Sequence, residues 1–293
     1  MLSKIKAHME YMFSLKSLDS VNNAEMRVIG LGRSGIHPII NWIGYQCKGS
    51  RVLFINNPEV KANPFEGGIW GGLHVRGMFD RFYIDEHFEK RGKFRRKDCL
   101  IYNYEVALVE EVVDPFFEKR REQWLGKSVK KYDVLIMRDA FNFFASKFQF
   151  HFNLKEYYEK RKMDVTLEAE APKWIKVWKN HALEFLGITN ILSDKKVTIS
   201  YNAWCKSKVY RMAIANKLDL NPGDKGLDRV PNIGAGSSFE GIQYDKKASE
   251  MKTDERWKRL KDNEAYRNIF TDTELVDLSN RIFGKIPGTD ILL

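Results

Sequence analysis

RVIGLGRSGIHPIINWI, from Arg27 to Ile43, is the stretch that decides the fold. Val28, Ile29 and Leu31 make a short apolar run of strand type. Gly30, Gly32 and Gly35 then crowd a turn, and an apolar pattern of helical period follows at once. Gly30 and Gly35 stand at the spacing of the two glycines in G-x-x-x-x-G-K-[ST], the phosphate loop of nucleotide triphosphatases. The next two residues are Ile36 and His37, so the loop lacks both the lysine that grips the outer phosphates and the hydroxyl that holds magnesium. The rest of the geometry remains. Glycines let main-chain N–H groups turn inward, the following helix adds the positive end of its dipole, and Pro38 suits an early helical position. Arg33 places a permanent charge within the turn. The pattern suits a phosphate or sulfonate held without a metal; its plainer reading is a strand–helix turn with incidental glycines.

Outward from this stretch, short apolar runs alternate with helical patterns. The runs are Met26–Leu31, Arg51–Asn57, Cys99–Glu105, Asp133–Asp139 and Lys196–Asn202. Helical patterns are predicted near 37–47, 106–124, 140–150, 171–187 and 206–218. This alternation predicts a three-layer α/β/α domain around a central, mostly parallel sheet of about five strands, with phosphate-loop character. The chain of 293 residues shows no repeat or convincing linker, so one domain over 1–293 is expected. Its Gly-rich, aromatic stretch at Pro58–Asp80 and the basic segment Phe88–Lys97 form a candidate acceptor-binding region at 58–97. Phe88–Lys97 reads either as a solvated turn or as an anion-facing lip. TDTEL, Thr271–Leu275, reads as a capping box before a last helix. The stripe Trp174, Ile175, Val177, Trp178 reads as core at helical spacing.

Net charge is +10, which favours an anionic partner: nucleic acid, acidic membrane or a phosphorylated small molecule. Cys47, Cys99 and Cys205 are odd in number and far apart, arguing against a disulfide framework or a cysteine zinc site. The six histidines show no metal-ligand spacing, and no metal is expected. No apolar stretch reaches the roughly 18–20 residues needed to span a bilayer. The N-terminal MLSKIKAHMEYMFSLKSL reads as a short amphipathic helix without a signal-peptide core, either packing on the domain or lying on a membrane surface. A cytoplasmic protein without stable membrane insertion is expected.

A second anion site is predicted at VLIMRDAFNFFASKF, Val134–Phe148. Arg138 stands where an apolar run ends, and Ser146 lies eight residues on, about two helical turns away. A guanidinium leaning along that helix and a serine hydroxyl suit one phosphate. The alternative is an Arg138–Asp139 surface arrangement with Ser146 facing water. Both candidate sites fall at the C-terminal edge of the inferred sheet, where ligands of parallel sheets bind. Together they suggest a nucleotide phosphorylated at both ends.

At these residues the chain resembles the sulfotransferases that use 3′-phosphoadenosine 5′-phosphosulfate (PAPS). GLGRSGIH resembles their 5′-phosphosulfate loop, which implies that Gly32, Arg33, Ser34, Gly35, Ile36 and His37 line the 5′ site. MRDAFNFFAS resembles their 3′-phosphate motif, which implies that Arg138 and Ser146 hold the 3′-phosphate. TISYNAW is similar to the strand whose tyrosine flanks adenine, implying Tyr201. GAGSSFEG occupies the place of the late Gly-rich nucleotide loop, implying Gly236, Ser237 and Ser238. The motifs span about Met26 to Gly241. Ile36 and His37 depart from the family's frequent threonines, Arg33 from its usual lysine, and the late loop lacks the Arg-Lys-Gly run of cytosolic members.

The resemblance implies metal-independent transfer of a sulfonate from PAPS to an acceptor hydroxyl or amine, leaving adenosine 3′,5′-bisphosphate (PAP). Arg33 and the loop N–H groups are assigned to the bridging oxygen. Glu105, at the ligand edge after CLIYNYE, is the first candidate for general base; its other reading is a carboxylate favouring the next helix N-terminus. His37 is the second candidate, its other reading being a helix N-terminal residue that donates to the cofactor, and His74 the third, its other readings being an acceptor contact or an exposed side chain. Trp70, Phe79, Phe82 and Tyr83 read either as a wall for a small-molecule or carbohydrate acceptor or as core packing. Two other functions compete. A degenerate phosphate-loop kinase would use Asp139 on magnesium, and no good replacement lysine presents itself. A non-catalytic nucleic-acid binder would rest on charge alone, without a recognised motif. Neither the acceptor nor the oligomeric state is readable.

Overall fold

A computed structural model describes residues 20–66, 89, 91–192, 195–232 and 236–293. The N-terminal segment expected to be helical, His74 and the aromatic set Trp70, Phe79, Phe82 and Tyr83 lie outside the described residues. β1 (Asn22–Gly30) leads through the glycine turn into α1 (Ile36–Gln46), and β2 (Val52–Asn56) follows. β3 (Lys97–Glu105) is followed by two helices, α2 (Val109–Val112) and α3 (Pro115–Leu125). β4 (Ser128–Met137) then runs into α4 (Ala140–Asn153), α5 (Lys155–Lys160) and α6 (Leu167–Phe185). After β5 (Lys196–Ser200) come α7 (Tyr201–Lys206) and α8 (Lys208–Lys217), then α9 (Glu264–Asn268) and α10 (Thr273–Phe283).

The five strands form one sheet in the order β2-β3-β1-β4-β5, with every pairing parallel. Parallel neighbours need crossover connections, and the helices supply them on both faces. Strand alternation sends Met26 and Val28 with Phe54, Ile101, Val134 and Ile199 to one face, where α1, α7 and α8 pack on them. Ile29, Leu53, Leu100, Tyr102 and Leu135 go to the other, against Val109, Val112, Phe117 and Leu125 of α2 and α3. A third apolar cluster gathers beyond the strand ends. Leu31 and Met137 meet Phe141, Phe143, Phe144 and Phe148 of α4, Trp174 and Trp178 of α6, and Leu275 and Leu278 of α10. The Trp174–Trp178 stripe is therefore core.

Several predicted boundaries move for local reasons. The single helix expected over 106–124 is two, broken where Asp114 caps α3 and Pro115 opens it. The strand expected to reach Asp139 ends at Met137, because Asp139 is committed to capping α4 and its carboxylate accepts from Asn142 N at 2.9 Å. The strand expected to reach Asn202 ends at Ser200, whose hydroxyl caps α7, so Tyr201 is helical. The last helix is capped by Asp272, which accepts from Leu275 N, and not by Thr271. Lys97, counted in the basic segment, opens β3 and is buried against Glu89 at 2.8 Å. Arg91–Arg96, a turn at 91–92 followed by irregular chain, precede it at the N-terminal end of the strand, opposite the edge where the loop lies.

Candidate functional site

Parallel registers bring the predicted residues to one edge. Gly30, the last residue of β1, pairs with Glu105, the last of β3. β4 lies on the other side of β1 and delivers Arg138 just past its end; β5, beyond it, delivers Tyr201. The glycine turn closes with Ser34 N donating to Leu31 O at 2.9 Å. Arg33 and Gly35 take left-handed conformations, at φ 81° and 87°. Gly35 is required twice over: a Cβ there would also lie 2.0 Å from Cδ2 of Tyr201. α1 begins at Ile36 with no side-chain cap. Ser34 Oγ is buried in the turn and finds no hydrogen-bond partner among the described residues. An uncapped helix N-terminus beside a buried, unpaired hydroxyl is a cradle for an anion.

Glu105 faces α1, on the same side of β3 as Asn103 and Ile101. Asn57, left-handed at φ 46°, accepts the Glu105 N–H on its side-chain oxygen at 2.9 Å, and its own N–H donates to Asn103 Oδ1 at 2.9 Å. Asn103 Nδ2 donates to Glu105 Oε1 at 3.2 Å. His37 Nε2 lies 2.9 Å from Asn56 Oδ1 and 3.2 Å from the same Glu105 Oε1. Two oxygens around one ring nitrogen assign the hydrogen to Nε2, so His37 is a donor here. Oε1 is thus held from two sides, and Oε2 points over the glycine turn. A Cβ on Gly32 would lie 2.4 Å from Oε2, so glycine there lets the carboxylate keep this position. The alternative use of Glu105, at the next helix N-terminus, is not made; Glu111 caps α2 through Leu108 N at 2.8 Å.

The second site forms around Ser146, which is fully buried on α4. Arg138 Nη1 donates to Ser146 Oγ at 2.9 Å, and Arg256 Nη1 donates to the same oxygen at 3.1 Å. Ser146 in turn donates to Asn142 O at 2.9 Å. Arg138 also donates to Thr253 O and lies 5.2 Å from the Tyr201 ring centre. Arg256 reaches Ser237 Oγ at 2.9 Å and Glu240 Oε2 at 3.1 Å. Arg138 is therefore buried, not a surface arginine paired with Asp139. That aspartate is fully buried and bonded to Asn142 and Asn202, which removes it as a magnesium ligand for a kinase.

The two sites touch. Arg138 Nη1 lies 3.4 Å from the main-chain oxygen of Arg33. Arg33 sends its guanidinium to Gly236 O at 2.6 Å and stacks it 3.8 Å above the Phe150 ring, tying the turn to the late loop. Burial pushes the Arg33 guanidinium down to about 10, against the pull of Glu105. Burial, and then the nearby Arg138, push Arg256 down to about 10. Both remain cations at neutral pH, crowded and desolvated, the state an incoming anion relieves. Arg256 Nε and Ser238 Oγ are also buried without a hydrogen-bond partner among the described residues. Two buried arginines sharing one hydroxyl, beside an uncapped helix start, fit a ligand with two separated anionic groups.

The structure thus brings together Gly32–His37, Glu105, Arg138, Ser146, Tyr201, Gly236 and Ser237. The sequence reading missed Arg256, Lys147 and the trio Asn56, Asn57 and Asn103. Lys147 had a visible signal, a single charge in the apolar run FFASKFQF. Arg256 had none, because it reaches Ser146 from 110 residues away. No family model and no curated protein sequence matches this chain. Among solved structures it is similar to mouse sulfotransferase SULT7A1 complexed with PAP, at 16% identity and a TM-score of 0.48, over 93% of this chain and 92% of that one. Identity this low leaves side-chain roles to be read from this chain's own geometry.

Proposed function

We propose that the chain is a PAPS-dependent sulfotransferase acting on a hydroxyl or amine of a small molecule or carbohydrate. The observation that carries this reading is the convergence of Arg138 and Arg256 on Ser146 Oγ, at 2.9 and 3.1 Å, next to the uncapped start of α1. Arg138, Arg256 and Ser146 hold the 3′-phosphate. Ser34, Gly35, Ile36 and His37 receive the 5′ end, and Tyr201, Gly236, Ser237 and Ser238 border the nucleoside between them.

The donor supplies a sulfonate on a phosphate leaving group: the acceptor oxygen or nitrogen bonds to sulfur as the sulfur–oxygen bond to phosphate breaks, the electron pair leaving on phosphate. Glu105 takes the acceptor's proton on Oε2, while the Asn103 and His37 contacts hold Oε1 and fix the carboxylate's orientation. Arg33 brings charge to the turn and joins it to the late loop.

The test is thermal unfolding with PAP in the absence of magnesium. PAP raises the melting temperature, adenosine 5′-monophosphate raises it less, and Arg138→Ala removes most of the PAP shift. A chain that ignores PAP but responds to magnesium and ATP is not a sulfotransferase.

A further inference from the structure

The glycine turn lacks its lysine in sequence, yet a lysine stands over it in space. Lys147 belongs to α4, one residue past Ser146, about 100° round the helix from it. The residue is only 9% exposed. Its ammonium has no hydrogen-bond partner among the described residues; it faces the Trp174 ring, 5.0 Å away. The side chain carries its ammonium to the turn at Gly32. From the point a Gly32 Cβ would occupy, Lys147 Nζ is 3.8 Å away and Glu105 Oε2 is 2.4 Å away. The absent side chain of Gly32 makes room for the Glu105 carboxylate and brings it, the Lys147 ammonium and the start of the 5′ loop together at one point. Resting on the sulfotransferase reading, we infer that Lys147 is a catalytic residue that binds the sulfonate oxygens of the donor, supplying from α4 the cation that the loop's own sequence omits.

The physical case has three parts. A buried ammonium without a partner is costly, and a hydrogen-bonded anion repays that cost. Burial is the chief reason its ammonium is pushed down to about 8; Arg33 lowers it further, and Glu105 and Glu170 pull it back up. At neutral pH it is still mostly protonated, so it meets an anion as a cation. Its position also separates its task from that of Arg138 and Arg256. Those two share Ser146, whereas Lys147 looks to Glu105 and Gly32, where donor and acceptor meet.

The two nucleotides PAPS and PAP differ only by the sulfonate, so they isolate the contact. Calorimetric affinities of both are measured for the parent chain and for Lys147→Met, a substitution of similar length that removes a buried charge. The inference expects the PAPS dissociation constant to rise about tenfold in Lys147→Met, with that for PAP within twofold. Lys147→Arg, which keeps a cation, recovers part of the loss. Unchanged PAPS affinity in Lys147→Met overturns the inference, and so does an equal loss for both nucleotides, which marks a structural role. A parent chain that binds neither nucleotide removes the functional reading itself, and the lysine's role with it.

Discussion

Arg138 and Arg256 lie close enough to share one serine hydroxyl, and like charges at that range repel. Glu240 offsets only part of the repulsion, because its carboxylate is divided between Arg256 at 3.1 Å and Arg259 at 3.5 Å. A dianion at Ser146 would complete the balance. Charge-assisted hydrogen bonds contribute about 1.5–3 kcal/mol each. Arg256→Met should therefore weaken PAP binding by roughly 10- to 100-fold while leaving adenosine 5′-monophosphate, which lacks the 3′-phosphate, within twofold. Titration calorimetry of the two ligands decides it, and an equal loss for both would move Arg256 away from the 3′ end. At Glu105 the expectation is the reverse. Glu105→Gln keeps the side chain's shape and hydrogen bonds but cannot accept a proton. It should bind PAP normally and lose transfer by about 10²–10⁴-fold. Retained turnover would pass the role of base elsewhere, and His37 is poorly placed for it while Nε2 donates to Asn56. At this scale the sequence was informative wherever the residues that come together sit within one strand–turn–helix unit, as Arg138 and Ser146 do. It was silent where partners meet only through tertiary packing. Asn56 and Asn57 look like a loop start in RVLFINN, and nothing local announces that they orient His37 and Glu105.

The elements explain why the loop had to be glycine-rich. β1 ends against β3 and β4, α7 begins at the end of β5 just beyond β4, and the chain must reverse into α1 within five residues, Leu31–Gly35. Tyr201, as the first residue of α7, lays its ring where a side chain on Gly35 would go. Gly35→Ala combines a left-handed φ of 87° with that collision. The conformation alone costs about 1–2 kcal/mol and overpacking typically about 1–3 kcal/mol more. Gly187, past the end of α6, has φ 71° with nothing within 4 Å of the place an alanine methyl would take, so Gly187→Ala incurs the first cost alone. Urea unfolding should place Gly35→Ala well below Gly187→Ala, with unchanged slopes; equal midpoints would mean that Tyr201 yields without cost. The five strands were legible because each is an apolar run flanked by turn residues, and the parallel sheet followed from their alternation with helices. Boundaries were less legible where a polar residue does two jobs. Asp139 and Ser200 look like strand ends, but each caps the next helix, which pulls the boundary inward. α5, Lys155–Lys160, was missed because its residues are mostly exposed and carry no apolar period.

For the whole molecule, charge and burial meet at His181, where burial outweighs the nearby Glu110 carboxylate and the ring is tied to the site's scaffold. It lies in α6, fully buried, and its Nε2 donates to Ala107 O at 2.8 Å, two residues past Glu105. Nδ1 is buried without a partner among the described residues. Protonation would put an unpaired N–H and a charge into an apolar contact, and burial accordingly pushes the imidazole down to about 4 from 6.5. The sign follows from proton counts. Between pH 6.5 and 4 the unfolded chain binds a proton at this histidine that the folded chain does not, so stability falls as pH drops through that window. At ~1.4 kcal/mol per pH unit the full effect is at most about 3 kcal/mol. His151 is also lowered by partial burial and adds in the same direction, while the carboxylate Asp219, held down at about 2 by Lys130 and Lys48, responds only at lower pH. The comparison must therefore be a difference. His181→Gln keeps a donor for Ala107 but does not titrate. Urea unfolding of both chains from pH 7.5 to 4.5 should show the parent losing stability faster than the variant below pH 6.5, with the two curves parallel above it. Parallel curves throughout would mean that His181 accepts its proton in the folded state, with α6 moving to let water reach Nδ1.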